Sequence, residues 1–254
     1  QIDRIVRTRF DSIAATVTTE RQWPRSSGVE RRKVGAAMST RRNPLSQPIG
    51  NAVDIDLPLA PQPGTPMVGQ FGAVVPLDVD RHAEALFSAF GADDEADWTY
   101  LPYGPFPDVD AFGRWLDTCA RSDDPKFFAV EDGAGPCGIA SYLRITPWSA
   151  SIEVGNIHFA RRLQRTAAAT EAMWSMMHRV FASGYRRYEW KCDALNTPSR
   201  QAAERLGFRF EGIFRQATIY KGRNRDTAWY SVLDAEWSAI ETELGRWLDP
   251  GNFH

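Results

Sequence analysis

The sequence predicts a mixed α+β domain in which one central, twisted mixed sheet of about seven strands is flanked by helices. Two observations lead to this fold class. The first is the order of the predicted elements, β-α-α-β-β-β-α-β-α-β-β-α, which a single mixed sheet with helices on its faces accommodates economically. The second is composition: of 254 residues, 43% are hydrophobic and 24% are charged, as in ordinary globular proteins. No apolar run approaches the roughly 20 residues that a membrane-spanning helix needs, so no membrane segment is expected.

The first 69 residues differ from the rest of the chain. Residues 1–37 carry eight Lys/Arg and four Asp/Glu, whereas the remainder carries 22 and 28. They show no sustained period and Met38 begins a natural-looking start, so we expect them to be an upstream extension outside the fold. Residues 38–69 contain six prolines and are expected to be an arm with neither helix nor strand. A single domain is predicted over 70–248, followed by a tail at 249–254.

The domain begins with a strand and two helices. Phe71–Leu77 is rich in β-branched and apolar residues and is predicted to be a strand. Asp80–Phe90 has apolar residues at helical spacing, and Asp108 is placed to cap a second helix that ends near Ala120. Between the helices, Trp98–Phe106 is the segment densest in aromatic residues.

Three strands are predicted next, and the third is the most informative. Lys126–Glu131 and Cys137–Ile145 are separated by an Asp-Gly turn. In Ser151–Phe159 the apolar alternation is interrupted at Gly155-Asn156, which predicts a bulged strand. A helix follows from about Thr166 to Ser183-Gly184. Because the first turn of a helix has unpaired N–H groups and a positive dipole, this junction suits a phosphate.

The remaining elements are predicted from alternation and from turn residues. They are a strand at Tyr185–Cys192, a helix from Asn196 to Gly207, a strand at Phe208–Tyr220, a turn at Gly222–Arg225, a strand at Thr227–Leu233 and a helix at Ala235–Leu248.

At this point two motifs carry a family resemblance. They are the strand–turn–helix around Gln164 and the later Asn196-Thr-Pro-Ser-Arg-Gln-Ala-Ala-Glu-Arg-Leu-Gly-Phe. Together with the element order they resemble the GNAT superfamily of acetyl-CoA-dependent N-acetyltransferases. More narrowly, the chain resembles the RimJ/RimL-like branch, which includes ribosomal-protein alanine N-acetyltransferases. The resemblance covers about Phe71 to Trp237.

The resemblance implies acetyl-CoA as the acyl donor and no metal. The family's pyrophosphate-binding pattern, Gln/Arg-x-x-Gly-x-Gly/Ala, stands here as Gln164, Arg165, Thr166, Ala167, Ala168 and Ala169. Ala167 replaces the usual glycine and resists a left-handed conformation, so this position has to be helical. We expect the N–H groups of residues 165–169 to bind phosphate, with charge from Arg161, Arg162 and Arg165. The alternative is an alanine-rich helix start with solvated arginines.

The reaction implied is attack of a neutral amine on a thioester, which needs a base and an oxyanion donor. The resemblance places the donor in the backbone of Ile157, His158 or Phe159, which would also pair with the pantetheine chain. Glu153 matches the position where relatives often carry a general base, directly or through water. Its alternative is a solvent-facing strand residue. The His158 imidazole is a second candidate base, with a structural histidine as the alternative.

The second motif bears on the leaving thiol. Many relatives carry a tyrosine at the position of Ala203, where it protonates the sulfur. Asn196 and Ser199 match the Asn-x-x-Ser spacing of the RimJ/RimL-like branch, so Asn196 would orient the pantetheine arm and Ser199 could hydrogen-bond the sulfur. Asn196 is also a good helix N-cap, and serine is common in a first helical turn.

The acceptor amine is the least determined feature. Trp98, Tyr100 and Tyr103 are expected to line its pocket, or else to fill the core under a Pro-rich loop. A protein N-terminus and a small-molecule amine are both compatible acceptors. A homodimer is also compatible with the sequence. We expect Trp98→Ala and Tyr103→Ala to change the acceptor KM far more than the acetyl-CoA KM.

Two other classes of function stay open, with different support. Ala167 and Ala203 are compatible with a non-catalytic acyl-CoA-binding or sensing protein. A nucleic-acid-associated protein is disfavoured because the folded part is acidic. The three cysteines match no metal or disulfide spacing, which favours small buried residues in a reducing cytoplasm.

Overall fold

The structure is a computed structural model, and it describes residues 41–53, 55, 57, 65–91 and 95–253. The predicted extension at residues 1–37 therefore lies outside the described residues. The chain divides into two compact units, residues 1–55 and 56–254.

The first unit contains a small antiparallel ladder between β1 (Arg41–Arg42) and β2 (Pro48–Ile49). Asn43 Oδ1 accepts the N–H groups of Leu45 at 3.0 Å and Gln47 at 2.9 Å, which closes the turn between the two strands. The prediction that residues 38–69 hold no strand is wrong here and at β3 (Met67–Val68). Ladders of two residues leave no apolar alternation to detect.

The second unit is built on a sheet of eight strands. After β3 they are β4 (Gly72–Pro76), β5 (Lys126–Asp132), β6 (Gly135–Thr146), β7 (Ser151–Phe159), β8 (Arg187–Asp193), β9 (Arg209–Tyr220) and β10 (Arg223–Leu233). The order across the sheet is β3-β4-β5-β6-β7-β8-β10-β9. All neighbours are antiparallel except β7 and β8, which are parallel. The predicted mixed sheet is confirmed, and β3 is the strand that the sequence did not reveal.

Helices cover both faces of this sheet. They are α1 (Val79–Gly91), α2 (Val109–Ala120), α3 (Ala167–Ala182), α4 (Thr197–Arg205) and α5 (Asp234–Trp247). Tyr142 of β6 donates its hydroxyl to the Met176 carbonyl of α3 at 2.7 Å. Ile139 points to the opposite face because side chains alternate along a strand. Its partner His158 stacks on Phe90 of α1. The sheet therefore has an α3 face and an α1–α2 face.

Capping residues define the helix boundaries as predicted. Asp108 Oδ1 accepts the Ala111 N–H at 2.7 Å and begins α2. Asn196 caps α4, which is followed by Gly207 at φ +91°. A left-handed residue after a helix is most easily supplied by glycine. None of the helices in the described part of the chain is long and apolar enough to cross a membrane.

The last hairpin differs from its predicted form. The turn consists of Lys221 and Gly222, at φ +48° and +70°, and β10 resumes at Arg223. The predicted turn at 222–225 is therefore wrong. Two left-handed residues form the tight turn whose twist matches a hairpin, so the polar residues after Gly222 already belong to the strand.

The three cysteines are buried and free, which confirms their prediction as small buried residues. Burial raises the pKa of the Cys119 and Cys137 thiols to about 12. Both thiols are therefore protonated near neutral pH.

Candidate active site

The candidate site is the opening between the parallel strands β7 and β8. Their ladder ends at the pair Val154↔Trp190, yet β7 continues to Phe159 and β8 to Asp193. This opening is termed the fork, with β7 and β8 as its two arms. On the edge of β7 that faces the fork, residues 155–159 pair with no strand among the described residues. A strand edge of this kind can pair with an extended ligand.

A β-bulge at Asn156 bends β7 into the fork. The β6–β7 register slips between Ile139 and Ser141, so that residues 156 and 157 of β7 stand opposite Ala140 alone and β7 contains one extra residue. Asn156 adopts φ +51°, and its Nδ2 donates to Ser141 Oγ at 2.9 Å. The bulge predicted at Gly155-Asn156 is confirmed. Bulges increase the local bend of a strand, which explains why β7 leaves β8 here.

The β7 edge of the fork offers peptide groups from two predicted residues. The Ala160 N–H bonds the Cys137 carbonyl at 2.8 Å. Since successive peptide groups point to opposite edges, those of Phe159 and Ile157 point into the fork. The Phe159 carbonyl already accepts Gln164 Nε2 at 2.8 Å. The N–H groups of both residues and the Ile157 carbonyl therefore line the opening.

The turn into α3 has the geometry that is required if alanine, rather than the usual glycine of the family pattern, stands at position 167. Arg165 is the left-handed residue, at φ +63°, and α3 begins at Ala167. Thr166 is the N-cap, and its Oγ1 accepts the Ala169 N–H at 3.1 Å. Ala167 is helical, so alanine replaces glycine there without strain.

Three of the five predicted phosphate donors are free. The Thr166 N–H bonds the Leu163 carbonyl at 3.3 Å, and the Ala169 N–H is bound by the cap. The N–H groups of Arg165, Ala167 and Ala168 have no partner among the described residues. They stand at the positive end of a 16-residue helix, where an anion is favoured.

The three arginines near this turn are in different surroundings. Arg162 pairs with Asp132 and donates to the carbonyls of Gly135 at 3.1 Å and Pro136 at 2.9 Å. It therefore fastens the β5–β6 turn. Arg161 lies 3.9 Å from Asp97. Arg165 is exposed, and among the described residues its side chain has no partner, which leaves it available to a phosphate.

The start of α4 places Asn196 and Ser199 beside the other arm. Asn196 Oδ1 accepts the Ser199 N–H at 3.1 Å, and Ser199 Oγ accepts the Trp190 Nε1–H at 3.0 Å. Trp190 closes the parallel ladder, so the hydroxyl lies near the fork. Because Oγ acts as acceptor in this bond, its own proton can be donated, and the Cys192 sulfur is a neighbouring acceptor for it. Ala203 is fully buried in α4 and provides no hydroxyl.

Glu153 lies on the α1–α2 face, one residue before the ladder ends. Its side chain is 4% exposed, so it is not the solvent-facing residue of the alternative interpretation. Oε2 lies 2.5 Å from Arg144 Nη1 and 2.8 Å from Lys191 Nζ. Oε1 lies 3.7 Å from the position that a Cβ atom would occupy at Gly155. Gly155 is the first β7 residue beyond the ladder, so Oε1 is on the side of the fork.

His158 is packed among aromatic rings on the α1–α2 face. Its ring stacks on Phe90 and meets Trp98 edge-on, each at a centroid distance of 4.1 Å. Neither ring nitrogen has a hydrogen-bond partner among the described residues. Burial lowers the pKa of this imidazole to about 4, so it is neutral near pH 7.

The aromatic loop 98–106 contacts both arms of the fork. Tyr103 donates its hydroxyl to Asn156 Oδ1 at 3.4 Å, on the β7 arm. Tyr100 donates to the carbonyl of Leu195, which follows the β8 arm, at 3.2 Å. Trp98 is 6% exposed, and its ring leaves no room for a side chain at Gly104. The predicted acceptor residues therefore comprise one packed ring and two hydroxyls at the fork.

The structure adds residues that the sequence patterns did not single out. Lys221 Nζ donates to the Trp98 carbonyl at 2.8 Å, and Arg223 Nη2 to the Thr99 carbonyl at 2.7 Å, so the β9–β10 hairpin holds the loop. Lys191 pairs with Glu153. A signal exists for Lys191 alone, because charged residues alternate with Tyr188 and Trp190 along β8.

Comparison with known proteins identifies similar chains. Residues 74–209, more than half of the chain, match the family described as the acetyltransferase (GNAT) domain. The crystal structure of a GCN5-related N-acetyltransferase from Brucella melitensis is 46% identical. That match covers 78% of this chain and 91% of the other, with a TM-score of 0.76.

Two further relatives agree with this result. A probable acetyltransferase of the GNAT family from Chromobacterium violaceum ATCC 12472 is 39% identical, covers 76% of this chain and 100% of its own, and has a TM-score of 0.69. The ribosomal-protein-serine acetyltransferase of Escherichia coli (strain K12) is 28% identical over 113 residues. Those residues are 44% of this chain and 63% of that protein.

Proposed function

Because the chain belongs to the GNAT family of acetyltransferases, we propose that it moves the acetyl group of acetyl-CoA to a primary amine by direct attack in a ternary complex. Similarity to the Escherichia coli ribosomal-protein-serine acetyltransferase supports the RimJ/RimL-like branch. The observation that carries the proposal is the fork, which opens beside free N–H groups at the start of α3. One strand and the following helix thus offer a strand edge and an anion site together.

The donor fits this part of the chain residue by residue. The pyrophosphate would take the N–H groups of Arg165, Ala167 and Ala168, with the Arg165 guanidinium beside it. The pantetheine arm would pair with the Ile157 peptide like an added strand. Asn196 would orient that arm from the opposite side of the fork. These groups have no competing partners in the described protein, except that the Asn196 side chain also caps α4.

The proposed reaction uses groups on β7 and at the start of α4. The amine lone pair attacks the thioester carbonyl carbon, and a backbone N–H of Ile157 or Phe159 donates to the oxygen that becomes negative. The amine proton passes to Glu153 Oε1, directly or through water. The carbon–sulfur bond then breaks, and the Ser199 hydroxyl donates to the departing sulfur. A thiol with an ordinary pKa of about 8.5 leaves readily near neutral pH, so the buried Ala203 does not prevent turnover.

The acceptor would approach on the α1–α2 face, where loop 98–106 meets the fork. Trp98, Tyr100 and Tyr103 would bound its pocket, and the attacking group is the amine of a protein N-terminus or of a small molecule. The free, buried thiols agree with a reducing cytoplasm. A homodimer is compatible with this arrangement, and sedimentation analysis of the purified protein tests it.

A second function, acyl-CoA binding without catalysis, is favoured by one observation: Ala203 is buried and has no hydroxyl. Calorimetric titration with acetyl-CoA, followed by a thiol-release assay over a panel of peptides and small amines, separates the two. We expect binding and turnover with at least one amine. Binding without turnover on the whole panel would favour the second function, and absence of binding would refute both.

A further inference from the structure

Lys191 is a buried cation at the inner end of the fork. Its side chain is 5% exposed, and Nζ lies 2.8 Å from Glu153 Oε2 and 2.7 Å from Glu189 Oε2. Nζ also lies 3.6 Å from the centroid of the Trp229 ring. A lysine held between two carboxylates and an aromatic face has little freedom to move.

The strand register explains why a cation is needed here. Glu153 and Glu189 stand directly opposite each other in the parallel ladder, and like charges in that position repel. Lys191 is the group that contacts both. Desolvation raises the pKa of Glu189, but hydrogen bonds from Lys191 and Arg187 bring it below its ordinary value. The Glu189 carboxylate therefore stays charged although it is largely buried.

Lys191 and Arg144 hold Glu153 to different degrees. The Arg144 side chain is 61% exposed, whereas that of Lys191 is 5% exposed. Solvent and salt weaken the exposed pair more than the buried one. The ion-paired groups around Glu153 are Arg144 on β6, Arg187, Glu189 and Lys191 on β8, and Glu211 on β9.

We propose that Lys191 is a positioning residue for the transfer reaction. By holding Oε2 of Glu153, it leaves Oε1 on the side of Gly155 and the fork. There the acceptor nitrogen gives up its proton as its lone pair forms the new bond to carbon, and Oε1 takes that proton directly or through water. Lys191 keeps its own proton throughout. This inference rests on the proposed function.

The test compares two folded variants with the wild-type protein. Lys191→Met alone would leave Glu153 and Glu189 facing each other, so the informative variant is K191M/E189Q. E189Q is the matched control because it keeps Lys191 on Glu153. Thermal unfolding establishes that both variants fold. The readouts are kcat, the KM for acetyl-CoA, and the pH dependence of kcat/KM for the acceptor.

We expect E189Q to resemble the wild type and K191M/E189Q to lose about tenfold or more in kcat, with the acetyl-CoA KM unchanged. The acid limb of its pH profile should move to higher pH, because a carboxylate without its cation protonates more easily. An equal loss in both variants, or an unchanged limb in K191M/E189Q, would overturn the proposal.

A second measurement does not depend on turnover. The carboxyl carbon of Glu153, assigned by difference from E153Q in labelled protein, can be titrated by NMR without substrates. We expect its midpoint to lie at higher pH in K191M/E189Q than in E189Q, and equal midpoints refute the role of Lys191. If the wild type acetylates no amine, the proposed function fails, and this titration by itself decides whether Lys191 controls the Glu153 carboxylate.

Discussion

The two sides of the fork are built in different ways. The proposed donor side consists of one continuous segment, from the β7 bulge through the turn to the first residues of α3, and the groups expected to bind are mostly backbone N–H groups. The proposed acceptor side is assembled from α1, loop 98–106, the end of β7 and the β9–β10 hairpin, and its contacts are made by side chains.

This difference has consequences for how each side responds to change. A backbone donor is lost only when a substitution changes the peptide itself, so side-chain changes on the donor side should be tolerated. On the acceptor side each ring supports several others, so truncating one ring should disturb the whole cluster. The following predictions test that contrast, from the largest expected effect to the smallest.

Trp98→Ala should produce the largest effect. Trp98 is 6% exposed and contacts Phe90, Tyr103, Phe106 and His158. Removing a buried tryptophan ring costs about 3–5 kcal/mol in the free energy of unfolding. The acceptor KM should rise far more than the acetyl-CoA KM. Trp148→Ala, at a tryptophan that is 78% exposed, is the control and should change stability by less than about 0.5 kcal/mol. Equal changes in the two KM values for Trp98→Ala would show that the ring serves only the core.

The buried imidazole of His158 should make stability depend on pH. Its folded pKa is about 4, whereas an unfolded histidine titrates near about 6.5. Between these values the unfolded chain binds the extra proton, so stability falls as the pH is lowered from about 7 to about 4, by up to about 3 kcal/mol. His158→Phe removes this component and keeps an aromatic ring against Phe90. Denaturant unfolding at several pH values measures the difference in slope, and identical slopes would contradict the prediction.

Ala167→Pro should weaken donor binding without harming the helix. Ala167 is the first residue of α3, where proline is well tolerated, and Thr166 before it is already extended at φ −99° and ψ 168°. The substitution removes one N–H. A hydrogen bond to a charged group contributes about 1.5–3 kcal/mol, so acetyl-CoA should bind about 10- to 100-fold more weakly.

The control for that variant is Ala167→Ser, which keeps the N–H. Calorimetry should give it near wild-type affinity, and the melting temperatures of both variants should stay close to that of the wild type. Unchanged affinity in Ala167→Pro would remove this peptide from the phosphate site.

Tyr103→Phe should have the smallest effect. The hydroxyl's bond to Asn156 Oδ1 is 3.4 Å long, beyond the usual range, and such bonds are weak. We expect the acceptor KM to rise about two- to threefold, which corresponds to less than about 1 kcal/mol, and the acetyl-CoA KM to stay constant. A larger rise in the acetyl-CoA KM would place this hydroxyl on the donor side.

The donor side could be predicted from the sequence because its causes are local. The interruption at Gly155-Asn156 marks the bulge, Thr166 is an N-cap, and Ala167 to Ala169 favour a helix over a left-handed turn. Each of these preferences acts within a few residues. Strand, turn and helix were therefore predicted at nearly their observed positions.

Only the tertiary structure decided how the remaining charges and rings are used. Arg162 was expected at the phosphate site, but its guanidinium pairs with the carboxylate of Asp132, thirty residues earlier. Lys221 reaches the Trp98 carbonyl across 123 residues, and Glu153 is held by Lys191 from the neighbouring strand. A contact between distant segments leaves no periodic signal in either one, since its energy depends on the register that the whole sheet adopts. The sequence thus determined where the donor side forms, and the packing of the sheet decided which side chains complete the site.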